Sequence, residues 1–123
     1  MKQSPATYSQ VVSHEWERAS ALRALRSGAI VHDEVCDADF LLRAAAKHHG
    51  TPANRSCPVC DNDDMKLTRW VYGESLGRRA GSARSEEEIA NFVAEGIHFT
   101  VHHVEVCTQC GWNYLLQTAT VHQ

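Results

Sequence analysis

The sequence predicts an α+β fold in which an N-terminal helical hairpin packs with a three-stranded antiparallel sheet, the sheet being organised by one metal ion and carrying a loop-helix insertion. Three observations carry this reading. Two Cys-x-x-Cys pairs, Cys57-Pro58-Val59-Cys60 and Cys107-Thr108-Gln109-Cys110, lie in the second half of the chain. Stretches rich in β-branched and aromatic residues adjoin them. Ahead of both pairs, two stretches repeat apolar residues at three- and four-residue spacing.

The first of these stretches is residues 8 to 26, where Val12, Trp16, Ala19, Leu22 and Leu25 form an apolar stripe and Ser27-Gly28 marks the end. The second runs from Ala38 to His48, with Asp37 as N-cap, Leu41, Ala44, Ala45 and His48 as the stripe, and Gly50 followed by Pro52 as the stop. The two helices are expected to pair as a hairpin, with Ile30, Val31 and Val35 in the connection. Residues 51 to 55 read as a linker into the first cysteine pair.

Three strands follow, at Met65 to Tyr72, Ile97 to Val106 and Trp112 to Val121. The middle one changes phase, because Phe99 and Val101 share one parity and Val104 and Val106 the other. A β-bulge at His102-His103 would let both halves point inward. Between the first two strands, Gly73 to Gly96 holds a glycine-bearing loop and then Ser85-Glu86-Glu87-Glu88, a capping box ahead of a helix containing Ile89, Phe92 and Val93. The expected organisation is one cooperative domain with a helical part at 1–52 and a metal part at 53–123 that carries the insertion 73–96.

The chain has 123 residues, 43% of them hydrophobic, which suits one core rather than two. Mean hydropathy is -0.38, and no apolar segment follows Met1-Lys2-Gln3-Ser4-Pro5 to act as a leader, so a cytoplasmic location is expected. There the cysteines stay reduced, and two tight pairs are better explained by metal than by disulfides. Residues 57–123 carry five Lys or Arg against nine Asp or Glu. Thiolate ligands deepen that negative balance and disfavour a phosphate backbone as partner.

Each Cys-x-x-Cys turn can point two thiolates at one ion, and two turns complete a tetrahedron, so Cys57, Cys60, Cys107 and Cys110 are the expected ligands of one structural Zn²⁺. Gly111 accepts positive φ after the second pair, and Asp61-Asn62 can do so less comfortably after the first. Iron in a rubredoxin-like set and a dithiol redox pair are the alternatives. Four cysteine ligands leave no open coordination position, which argues against metal catalysis. Cys36, the odd cysteine, reads as a small buried residue that reacts slowly, with a reactive thiol as the other reading. His98, His102 and His103 lack a third partner for a second site and read as surface or packing residues. Arg78, Arg79 and Arg84 are the candidate partner-binding residues, set against three glutamates that follow at once. The chain has no P-loop, dinucleotide fingerprint, nucleophile elbow or His-Glu-x-x-His pair.

With Cys110-Gly111-Trp112, the two cysteine turns resemble the zinc-ribbon group, which would make the expected sheet a zinc-ribbon sheet. More of the chain is similar to a family of small actinobacterial four-cysteine proteins of unknown function. That likeness lies in Glu34-Val35-Cys36-Asp37, Leu41-Leu42-Arg43-Ala44-Ala45, Cys57-Pro58-Val59-Cys60, the segment Gly81 to Ala90, Val104-Glu105-Val106-Cys107 and Trp112-Asn113. The resemblance implies a four-cysteine zinc site and a cytoplasmic location, and it implies no reaction. The expected function is a non-enzymatic zinc-binding adaptor or regulator that docks on a large cytoplasmic assembly, RNA polymerase first. Direct nucleic-acid binding is the alternative, and a thiol-based redox sensor the second alternative.

Overall fold

The computed structural model describes residues 6–123, so Met1 to Pro5 lie outside the described residues. The strands are β1 (Thr7–Ser13), β2 (Thr51–Pro52), β3 (Met65–Tyr72), β4 (Ser82–Ala83), β5 (Phe99–Cys107) and β6 (Asn113–His122). The helices are α1 (Glu15–Ser27), α2 (His32–Val35), α3 (Phe40–His49) and α4 (Glu86–Ala94), with a 3-10 segment at Glu74–Arg79. All six strands join one antiparallel sheet in the order β1-β6-β5-β3-β2, and β4 pairs with the far half of β3. Among the described residues no helix is long and apolar enough to cross a membrane.

This corrects the expected helical hairpin on a three-stranded sheet. Residues 8 to 13, read as the first turns of a helix, are instead the strand β1 paired to β6. Tyr8, Val11 and Val12 favour extended backbone, and the Val12–Trp16 spacing that suggested a helix straddles a strand end and a helix start. Only Leu22 of the expected stripe is buried, and Trp16 is 80% exposed. Gly28, at φ 81°, does end α1 as expected. The N-cap of α3 is Asp39, two residues after the expected Asp37, and it accepts the Leu42 N–H.

The two long N-terminal helices do not pair with each other; they cover opposite faces of the sheet. Pairing between β3 and β5 is unbroken from Met65↔Cys107 to Tyr72↔Thr100, so no bulge interrupts β5 and its change of phase is real. Phe99 and Val101 face α4, packing with Ile89, Phe92 and Val93, while Cys107 on the same face meets Leu22 of α1. Val104 and Val106 point the other way, against Leu42 and Ala46 of α3. The bulge lies in β6, opposite His103 and Val104, where Leu116 is the extra residue. The carbonyl of Leu116 accepts the His14 N–H at 2.8 Å, which fixes the corner between β1 and α1.

The capping box forms as read: the Ser85 side chain accepts the Glu88 N–H, and the Glu88 carboxylate accepts the Ser85 N–H. Because α4 buries Ile89, Phe92 and Val93, the segment after Gly73 builds one end of the core.

Glu105 is fully buried on the face shared with α1. Its Oε2 accepts Arg18 Nε at 2.7 Å and Trp112 Nε1 at 2.6 Å, and its Oε1 accepts Arg55 Nη2 at 2.6 Å. Replacing it with Ala leaves Arg18, 12% exposed, and the buried indole N–H unpaired. Glu105→Ala is therefore expected to lower stability by about 3–5 kcal/mol in denaturant titration, and Glu105→Gln by clearly less.

Candidate metal centre

The centre lies at one end of the sheet. Cys107 is the last residue of β5, and Cys110 begins the return into β6; Cys57 and Cys60 sit on the turn before β3. Each turn closes on itself in the same way. The Cys57 N–H donates to Asn62 O and the Cys107 N–H to Trp112 O, both at 2.8 Å. The N–H of Asp61 returns to Cys57 O, and that of Gly111 to Cys107 O. Asp61 and Gly111 both take positive φ, 65° and 88°, as the sequence implied. At Gly111 glycine is needed twice over, because a Cβ would also meet Arg43 Nη2 and, at 2.9 Å, the Cys36 carbonyl oxygen.

All four sulfurs lie within 4.8 Å of one another. Cys57 Sγ is 3.7 Å from Cys110 Sγ, and Cys60 Sγ is 3.5 Å from Cys107 Sγ. A tetrahedral site with metal–sulfur bonds of about 2.3 Å has sulfur–sulfur edges of about 3.8 Å, so the set fits a thiophilic metal ion. Backbone N–H groups aim at the sulfurs, from Val59 to Cys57, Cys110 to Cys107 and Trp112 to Cys110, at 3.4–3.5 Å. Such donors stabilise thiolate charge. Cys57 and Cys107 are buried, Cys110 is half-buried and Cys60 is exposed at the rim.

Burial pushes the Cys57 thiol up to about 11 and raises Cys110 as well. Burial acts on Cys107 too, but the amides of Cys110 and Gln109 and the neighbouring thiols bring it below the usual thiol value.

Three side chains around the centre were not legible as partners. Cys36 was expected to be buried; it is half-buried, and its Sγ lies 3.8 Å from Cys110 Sγ. Burial raises its pKa. Arg43 of α3 donates to Ala38 O at 2.9 Å and reaches Thr108 O at 3.4 Å, holding the outside of the second turn. Glu105 sits two residues before Cys107, and its one visible signal was an acid at the parity of that ligand.

The candidate partner-binding arginines lie apart from the metal centre, on the segment before α4. Arg78 is exposed. Arg79 pairs with Glu95 at 3.2 Å and lies over the Phe92 ring at 4.8 Å; Arg84 pairs with Glu88 at 2.9 Å and lies over the same ring at 5.5 Å. The histidines are spread across the sheet: His102 packs on Tyr72, His103 near Tyr8 and His98 near His122. Burial lowers the pKa of His102 and His103.

Cys57 and Cys110, with thiol pKa values raised, hold their protons at neutral pH when no metal is bound, and metal binding must displace them. Affinity for a divalent thiophilic metal is therefore expected to rise with pH, about ten-fold per unit for each proton displaced. Competition against a chromophoric chelator at about pH 6.5 and about pH 7.5 measures this, and an affinity independent of pH would refute it.

No solved structure matches this chain. The uncharacterized proteins Rv0049 of Mycobacterium tuberculosis (strain H37Rv) and Mb0050 of Mycobacterium bovis are each 44% identical to it over 101 residues, which is 82% of this chain and 74% of theirs. DUF5318, a family of unknown function, matches residues 6–122, a span that takes in the sheet, both cysteine turns and Cys36. The chain belongs to that family.

Proposed function

We propose that the chain is a non-enzymatic, cytoplasmic adaptor whose Cys57, Cys60, Cys107 and Cys110 hold one structural Zn²⁺, and that it docks a protein partner through the open side of α3. The observation that carries this is the stripe Leu41, Ala44, Ala45 and His48. It repeats like a core face, yet the core contacts of α3 come from Leu42 and Ala46. The stripe instead lines an open groove of about 530 Å³ whose other wall is Trp70, Ser82, Ala83 and Arg84. Phe40 and Leu41 are 82% and 71% exposed beside it. Large apolar side chains left at a groove of this kind mark an interaction site.

Local charge selects the occupant. Arg84, paired with Glu88, lines the groove with His48 and His49 and no carboxylate among its lining residues, and Lys47 and Arg43 line the hollow beside it. The chain as a whole is acidic, at net charge -3. A segment with apolar anchors and acidic flanks, presented by a protein, is complementary to this surface. Of the candidate partner-binding arginines, Arg84 lines this groove, while Arg79 is held at Glu95 and the Phe92 ring on the α4 side. RNA polymerase is the first candidate partner, because zinc-ribbon-like modules are frequent in transcription machinery. Four thiolate ligands close the coordination sphere, which suits a structural ion rather than one that activates water.

Two measurements test this. Elemental analysis of protein purified without chelator is expected to give one zinc per chain; iron with a visible absorption band would replace zinc with the rubredoxin-like alternative. Cys57→Ser, Cys60→Ser, Cys107→Ser or Cys110→Ser should each lose the metal and unfold the cysteine end of the sheet, since structural zinc supplies on the order of 10 kcal/mol. For docking, purified RNA polymerase should retain the tagged chain at moderate salt after nuclease treatment. Leu41→Glu should weaken that binding by about ten-fold or more without changing zinc content, because Leu41 is exposed. Retention that disappears with nuclease would favour direct nucleic-acid binding, and absence of retention would remove polymerase as the partner.

A further inference from the structure

The fifth cysteine packs against the core of the cysteine end, with its sulfur beside one of the four clustered sulfurs. The segment from Cys36 to Ala38 is tied to the second cysteine turn from two sides: the Ala38 N–H donates to Gly111 O at 3.0 Å, and Asn113 Nδ2 donates to Asp37 Oδ1 at 2.9 Å. These bonds hold Cys36 Sγ 3.8 Å from Cys110 Sγ. A disulfide needs about 2 Å between the sulfurs, so the two in contact must close by about another 2 Å. The other short sulfur contacts, Cys57–Cys110 and Cys60–Cys107, join residues that all serve the metal. Cys36 alone among the five cysteines lies outside the four-sulfur set while touching it.

From this geometry we infer that Cys36 and Cys110 are a redox-modification site, forming a disulfide when a peroxide-class oxidant reaches the centre. The inference rests on reading the four sulfurs as the metal ligands. Cys110 is half-buried rather than sealed, so a small oxidant can reach it. The Cys110 thiolate sulfur attacks one peroxide oxygen, the O–O bond breaks, and hydroxide leaves, giving a sulfenic acid. The Cys36 sulfur then attacks the Cys110 sulfur. The S–S bond forms, the S–O bond breaks, and the departing hydroxyl takes the Cys36 proton and leaves as water. One peroxide accepts two electrons, and two thiols become one disulfide. A metal held by the four sulfurs would keep only Cys57, Cys60 and Cys107, too few thiolates for a closed site, and would be released.

The test uses the full, metal-loaded chain. Metal content is measured first under reducing conditions, and peroxide is then added stoichiometrically while released zinc is followed with a chromophoric chelator. Tandem mass spectrometry of the unaltered chain then maps the linked cysteines. The expected result is a Cys36–Cys110 link appearing together with zinc release, and release slowed by about ten-fold or more in Cys36→Ser and Cys36→Ala at unchanged starting zinc content. Links confined to Cys57, Cys60, Cys107 and Cys110, with zinc leaving the Cys36 variants as fast as the unaltered chain, would overturn the inference. A reduced chain that holds no metal but still forms the Cys36–Cys110 link would refute the metal reading and leave the modification site standing.

Discussion

A carboxylate with no access to water has to be satisfied from within, and Glu105 sets that condition for the cysteine end of this protein. Its partners come from three separate places: Arg18 on α1, Arg55 on the approach to the first cysteine turn and Trp112 just past the second. Fully buried carboxyl oxygens are costly unless their hydrogen-bond donors are in position, so Glu105 constrains where α1 and both turns sit. Hydrophobic residues of the same volume could fill the space, but they would not dictate that a guanidinium from α1 and another from the linker arrive together.

The same sheet serves two cores. β5 presents Phe99, Val101 and Cys107 to α4 and α1 on one side and Val104 and Val106 to α3 on the other. Helix α3 spans only part of its face, and beyond it Trp70, Tyr72, His102 and Leu115 remain partly open. The groove along α3 therefore follows from the topology: a ten-residue helix is too short to roof an eight-residue strand laid beside two longer neighbours.

What was legible in the sequence was local. Met65–Tyr72 is the strand that its composition indicates, Ser85 to Glu88 is the capping box, and Asp61 and Gly111 take the backbone conformation that two cysteine turns demand. What was not legible depends on partners far away in the chain. β1 is a strand because β6 lies beside it, and nothing in the spacing of Val12 and Trp16 separates that outcome from a helix. The phase change in β5 was visible, but deciding between a bulge and a second covered face required knowing where α3 docks. Glu105 stood out only as an acid among valines, since its arginines are 87 and 50 residues away. The contact of Cys36 with Cys110 spans 74 residues and follows no pattern.

The pairing of Thr7 with His122 joins opposite extremes of the described chain inside one ladder. On a ribosome, β1 has no neighbour until β6 has been made and has cleared the exit tunnel, so its exposed backbone and its valines wait while all the elements between them are synthesised. Closing so long a loop late makes the final step of folding slow compared with the formation of the α4 end, which is local in sequence. During that interval the nascent protein carries a free strand edge, and the time for which a chaperone would be useful to it is set by the length of chain between β1 and β6.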